Sequence, residues 1–209
     1  MTVAYVKPID KKENDGGFFC IRKIFSLFRG KYPFYNPNPR RFFWMMKKKI
    51  ALVTGASGGI GGACAETLAR AGYTVLLHAC RALAQAQALA DRLCAEGCDA
   101  HAVSCDLADS ESAQAMCRDI LALYHRVDAL VLCAGVSHTG LFCDMTDEQW
   151  HTVMDVNVSG MFYLIRALAP GMVARNEGAI VTVSSRWWRG GASSEVAYSA
   201  GKAAVIGRT

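Results

Sequence analysis

The 209-residue sequence has no internal repeat and no low-complexity tract, so its organisation has to be read from alternating elements rather than from a period. Its N-terminal region lacks an apolar stretch that would cross a bilayer. The patch from Phe18 to Phe28 is broken by Arg22 and Lys23, whereas a spanning helix needs about 20 apolar residues. No small-residue cleavage site follows this patch, which argues against a secretory signal. The main body also lacks a basic excess: residues 1–49 hold 12 Lys/Arg against 3 Asp/Glu, and residues 50–209 hold 11 against 15. The net charge of +5 therefore comes from the N-terminal segment, and the basic face of a nucleic-acid binder is not indicated. Cysteine is not scarce, but the nine cysteines are odd in number and irregular in spacing, which argues against a disulfide framework. The closest pair, Cys94 and Cys98, has neither the second pair nor the histidines that a zinc site requires. The cysteines read as small buried residues of a protein kept in a reducing cytoplasm.

What is present suffices for one sizeable core, at 52% hydrophobic residues. One domain is expected over residues 46–209, with residues 1–45 as an extension. That extension mixes a polar run (Lys11 to Asp15), the broken apolar patch and a Pro/Asn cluster from Pro33 to Pro39, with no sustained period. The run from Met46 through Lys47-Lys48-Lys49 into Ile50-Ala51-Leu52-Val53 has the form of a natural start leading into a buried strand. A disordered or mis-annotated extension is the expectation; a basic membrane-surface anchor is the functional alternative.

From Ile50 onward, strand-like runs alternate with helical patterns, which predicts βαβ units and a parallel sheet covered on both faces. The strands are expected at Ile50–Val53, Thr74–His78, Ala100–Ser104, Ala129–Cys133 and Ala179–Ser184. Helices are expected over residues 60–71, stopped by Gly72, over 83–96, and from a cap at Ser110 to Tyr124. A long helix over 147–174 is expected to bend or break near Pro170, and a last one begins near Tyr198.

Two features carry chemistry. The first is the glycine turn Thr54-Gly55-Ala56-Ser57-Gly58-Gly59-Ile60-Gly61, which leaves a buried strand and opens a helix, the context in which backbone N–H groups meet a pyrophosphate. The second is Tyr198 with Lys202, four residues apart and so on one helical face, with Ser185 thirteen residues before the tyrosine. An ammonium beside a phenol lowers the phenol pKa from its usual value of about 10, making Tyr198 a proton donor near neutral pH. After the second strand the chain reads His78-Ala79-Cys80-Arg81, with no carboxylate to hold a ribose 2′-hydroxyl, and Arg81 can pair with a 2′-phosphate; this favours NADPH over NADH.

Taken with Asn157, these residues resemble the short-chain dehydrogenase/reductase family from about Lys47 to Thr209. The resemblance implies a Rossmann-like doubly wound sheet and an NAD(P)-dependent oxidoreductase. It implies Tyr198 as general acid, Lys202 as its partner and ribose ligand, Ser185 as a hydrogen-bond donor to the substrate oxygen, and Asn157 as holder of a relay water. Thr54, Gly55, Ser57, Gly59, Ile60, Gly61, Arg81, Asp106, Ala134 and Gly135 would line the cofactor, with Asp106 at the adenine amino group. Within the family the chain is similar to bacterial 3-oxoacyl-acyl-carrier-protein reductases, and the segment Gly191 to Tyr198 also to elongation factor P 5-aminopentanone reductases. Glu195 would there receive a substrate amine and Trp188 line the pocket; otherwise Glu195 caps the last helix and Trp188 packs on its loop. The expected substrate is a small or carrier-bound ketone, the expected full-length state a homo-oligomer, with no nucleic acid or membrane partner.

Two departures from the family pattern are visible. Leu132-Cys133-Ala134-Gly135 stands where the family usually has an Asn-Asn-Ala-Gly turn, which predicts lower stability. The family's sixth and seventh strands would lie beyond Thr209, so the fifth strand is expected to lose its neighbours and this chain to bind cofactor weakly and turn over slowly. A catalytically silent fragment is the remaining alternative.

Overall fold

The computed structural model describes residues 3–6 and 48–207. Its elements in chain order are β1 Val3–Val6, β2 Ile50–Thr54, α1 Gly59–Arg70, β3 Thr74–His78, α2 Leu83–Ala95, β4 Asp99–Val103, α3 Ser110–Tyr124, β5 Ala129–Leu132, α4 Asp147–Met154, α5 Gly160–Arg175, β6 Ala179–Val183, α6 Trp187–Gly190 and α7 Val196–Ile206. Strands β2 to β6 form a parallel sheet in the order β6-β5-β2-β3-β4, the doubly wound arrangement of a Rossmann-like fold.

Strand period explains the two covered faces. In β2, Ala51 and Val53 point to one side, where they meet Ala65 and Leu68 of α1 and Ala86, Ala90 and Leu93 of α2. Ile50 and Leu52 point to the other, against Met116 and Ile120 of α3 and Leu164 and Leu168 of α5. Both sets are buried, so the central strands are apolar throughout rather than alternating, as expected of a parallel sheet. Each fully buried aliphatic side chain contributes about 1.5–3 kcal/mol.

Three sequence expectations shift. Helix α3 is capped by Asp109 rather than Ser110: the carboxylate accepts from the backbone N–H groups of Glu111 and Ser112, both at 3.1 Å. The helical stretch 147–175 does not break at Pro170, which lies inside α5; its irregularity is a π-turn at Asp155–Ser159. The stretch is apolar enough to cross a membrane by length and composition, and Met161, Leu164, Leu168 and Met172 spend that apolarity against the sheet.

The third concerns the sheet edge. Strand β6, expected to lack an outer neighbour, pairs antiparallel with β1, Val3 opposite Val183 and Val6 opposite Ile180. The four-residue run Val-Ala-Tyr-Val has no period long enough to be read as a strand from sequence; an open edge of unpaired N–H and C=O groups supplies the template. The other expectations for residues 1–45 lie outside the described residues.

Candidate active site

The glycine turn is built by close backbone approach. Thr54, buried at the end of β2, accepts through Oγ1 from the N–H of Ala134 at 3.1 Å, which ties the turn to the loop after β5. Gly55 follows at φ +66°, and a Cβ there would lie 2.9 Å from the Cα of Ala134. At Gly61 a Cβ would collide with the Gly55 carbonyl, so only glycine lets α1 start this close to the strand. The first turn of α1 carries no acidic residue, and Gly58, Gly59 and Ile60 are exposed at its positive end. This is a cradle that an anionic group fits and that a side chain would fill.

A cleft of about 460 Å³ opens beside the turn, lined among others by Gly55, Ser57, Arg81, Asp106, Ala134 and Val136. Arg81 is exposed on its wall. Asp106 is exposed as well; its Oδ1 accepts from the Ala108 N–H at 2.9 Å, fixing the bend after β4. His78 joins these walls: it is buried, and its Nε2 lies 3.2 Å from the Cys105 carbonyl. The Cys105 Sγ lies 3.4 Å from the same nitrogen, and Nδ1 has no hydrogen-bond partner among the described residues. Burial holds the imidazole below its ordinary pKa and so keeps it neutral.

Between Ala134 and Val136, which line the cleft, the polar residues converge on Gly135. A methyl group at Gly135 would lie 3.1 Å from Asn157 Oδ1 and 3.3 Å from Lys202 Nζ. Asn157 is fully buried in the π-turn; its Nδ2 donates to the Val136 carbonyl and its Oδ1 accepts from the Val136 N–H, both at 2.8 Å. The side chain thus fixes the loop after β5. Lys202 is buried as well, and Nζ donates to the Val183 carbonyl at 2.9 Å. Burial holds the ammonium below the ordinary lysine pKa, and Cys133 nearby pushes weakly the other way. The Tyr198 ring lies beside it, with Nζ 5.6 Å from the ring centroid.

Helix α7 is anchored to β6 by Ser184, whose Oγ donates to the Lys202 carbonyl at 2.7 Å. Ser185, the next residue, stays half-buried and its Oγ accepts locally from the Trp187 N–H at 3.3 Å. The expected set is therefore brought together unevenly: Asn157, Lys202 and Tyr198 form one cluster, whereas the described contact of Ser185 is within its own loop. Glu195 occupies the N-cap of α7 without a side-chain cap bond, and its half-buried carboxylate has no partner among the described residues. Sequence reasoning missed His78 and Ser184. Both are polar residues at or just past a strand's end, and their partners are brought to them only by the fold.

A family profile described as short chain dehydrogenase matches residues 49–209. The chain is 35% identical over 165 residues to a 3-oxoacyl-[acyl-carrier-protein] reductase, FabG, of Staphylococcus aureus strain Mu50, covering 79% of this chain and 67% of the relative. It is 41% identical over 157 residues to the uncharacterized oxidoreductase YmfI of Bacillus subtilis strain 168, covering 75% of this chain and 64% of that one. Among solved structures, a metagenomic short-chain oxidoreductase in complex with NADP superposes with a TM-score of 0.74 at 35% identity, over 77% of this chain and 72% of that one. A substituted actinorhodin polyketide ketoreductase with NADPH superposes at 0.73 and 31% identity, over 78% and 62%. The chain thus spans about two thirds of the length of the curated relatives it matches.

Proposed function

Because the chain belongs to the short-chain dehydrogenase family, we propose that it acts as an NADPH-dependent oxidoreductase that reduces a ketone to an alcohol, on a 3-oxoacyl thioester or a similar carrier-bound substrate. The observation that carries this reading is the convergence of Asn157, Lys202 and Tyr198 at Gly135, whose neighbours Ala134 and Val136 line the cleft that the glycine turn also borders. Thr54, Gly55, Ser57, Gly59, Ile60 and Gly61 hold the pyrophosphate, Asp106 the adenine, Ala134 and Gly135 the nicotinamide side, and Arg81 the 2′-phosphate. The cofactor, when bound, supplies the hydride.

The protein's own part is to manage charge and protons. Negative charge builds on the carbonyl oxygen as its carbon is reduced, and Tyr198 donates its phenolic proton to that oxygen. Lys202, held by the Val183 carbonyl, keeps a cation beside the phenol and binds the ribose. Ser185 turns its hydroxyl from its loop to the substrate oxygen, and Asn157 holds the loop and the relay water through which Tyr198 is reprotonated. The reading places the protein in the cytoplasm, where its free thiols stay reduced.

Replacing Tyr198 by Phe tests the assignment. NADPH oxidation with an acetoacetyl thioester is expected to fall by about 10²–10⁴-fold while NADPH still binds, measured by its fluorescence. An unchanged rate would refute the role of Tyr198.

A second reading concerns the substrate alone. The uncapped, half-buried carboxylate of Glu195, three residues before Tyr198, suits a cationic ketone such as a 5-aminopentanone group on elongation factor P. Under it, Glu195→Gln raises KM for an amino ketone by about tenfold and leaves KM for the acyl thioester unmoved. Equal effects on both substrates would exclude it.

A further inference from the structure

Among the described residues His78 is the one buried histidine, and the proposed reduction does not use it. It closes β3 on the same sheet face as the core residue Leu76, and it borders the cleft together with Gly55 and Asp106. Two sides of the cleft are tied to this one residue. Its carbonyl accepts from the Ala56 N–H of the glycine turn at 2.9 Å. Its ring reaches the other way, to Cys105, two residues past the end of β4 at Val103. There the peptide joining Cys105 to Asp106 is held on both edges: its carbonyl lies 3.2 Å from His78 Nε2, and its N–H, that of Asp106, donates to Ser112 Oγ at 3.0 Å.

We propose that His78 is a positioning residue for the adenosine half of the nucleotide: its Nε2–H donates to the Cys105 carbonyl, fixes the Cys105–Asp106 peptide and so aims the Asp106 carboxylate at the adenine amino group. The part given to Asp106 rests on the cofactor reading above, whereas the grip on the peptide does not. The tautomer follows from what each alternative leaves unpaired. Nε2 also lies 3.4 Å from the Cys105 thiol, so a bare Nε2 that accepts from that thiol is the competing arrangement. It would put the ring proton on Nδ1, which has no partner among the described residues, and a buried N–H left unpaired is rarer than an under-used acceptor.

Packing alone does not account for an imidazole at this position. An apolar side chain of similar size would fill the same space without burying an unpaired nitrogen. What it would lack is the donor. Asp106 stands outside β4 and is exposed, so its direction is only as well defined as the backbone beneath it. Its Oδ1 is taken by the Ala108 N–H at 2.9 Å, and Oδ2 has no bond among the described residues. With the peptide fixed by His78 on one edge and Ser112 on the other, that second oxygen keeps one direction, along the cleft it lines.

The full chain and its variants His78→Leu, His78→Gln and Cys105→Ala are titrated with NADPH and with 2′,5′-ADP, which is the adenosine half alone. His78→Leu is expected to weaken both ligands by the same factor, about tenfold, because the loss lies in the half they share. His78→Gln, whose amide N–H can stand in for Nε2–H, is expected to stay within about threefold of the wild type. Cys105→Ala removes the thiol, keeps the carbonyl and is expected to move neither affinity. Unchanged binding in His78→Leu, a larger loss for NADPH than for 2′,5′-ADP, no rescue by His78→Gln, or an equal loss in Cys105→Ala overturns the proposal. Should His78→Leu fail to fold, His78→Asn takes its place, since the shorter amide aligns with Nδ1 and falls short of the carbonyl. If the wild type binds neither ligand, the cofactor reading fails; the grip is then read by amide exchange at Asp106, expected to be about tenfold faster without the donor and unmoved in His78→Gln, and equal exchange throughout overturns it.

Discussion

A buried lysine is costly, and Lys202 shows how the site bears that cost. Its one described hydrogen bond goes to the Val183 carbonyl, and burial leaves its charged form disfavoured relative to water. In the unfolded chain the lysine titrates at its ordinary value of 10.5, and in the fold it titrates lower. Between those two values the unfolded chain binds the additional proton, so stability rises with pH through that window. Below the window the cost of burying the charge is constant. Lys202→Met is expected to abolish this rise, so urea unfolding of the two proteins across the window yields a difference that grows in favour of the wild type as pH increases. Parallel curves would show that Lys202 titrates as an exposed lysine does. The residue scale is also where the sequence was most legible. The four-residue spacing of Tyr198 and Lys202 fixes them on one face whatever surrounds them, and Gly55 and Gly61 reflect a steric demand that no other residue meets. Ser184 and His78 were not legible, since their roles depend on the Lys202 and Cys105 carbonyls that the fold carries to them from elsewhere.

Among the elements, the turn from β3 into α2 carries the proposed preference for NADPH. It brings Arg81 to the cleft wall and offers no carboxylate there, which suits a 2′-phosphate and leaves a 2′-hydroxyl without its usual acceptor. Arg81→Asp is expected to weaken NADPH by at least about tenfold and to narrow or reverse its advantage over NADH, since a charge-assisted hydrogen bond of about 1.5–3 kcal/mol is exchanged for repulsion. Titrating both dinucleotides against both proteins reads this directly; an unmoved preference would place the phosphate elsewhere. The long helical stretch illustrates what periodicity leaves out. Pro170 looked like the break, yet Leu164, Leu168 and Met172 around it are buried and hold α5 in line. The real irregularity, at Asp155–Ser159, has no proline and no glycine to announce it; it is visible only because Asn157 must turn inward to reach the backbone of Val136. A wide turn at a functional residue is a common use of π-geometry.

For the whole molecule, the parallel sheet and its two covered faces were legible, because a period of two within strands and apolar stripes on helices survive without tertiary knowledge. The pairing of β1 with β6 was not. It joins residues 3–6 to residues 180–183, almost the full length of the sequence apart, and so incurs loop closure without any local signal. Such a strand should dock last and open first. Amide exchange of Val3–Val6 is expected to be far faster than that of β2 or β5, and removal of residues 1–45 is expected to cost only about 1–3 kcal/mol while baring the β6 edge to self-association. Equal protection of β1 and β2 would instead make the edge strand part of the cooperative core.

That antiparallel pairing has a geometric corollary. Val3 faces Val183, the residue whose carbonyl receives Lys202 Nζ, so β1 begins at the same rim of the sheet as the proposed site of chemistry. A fluorophore joined to the chain at residue 3 would lie within energy-transfer range of reduced nicotinamide bound at that site, turning the head of β1 into an optical gauge of occupancy.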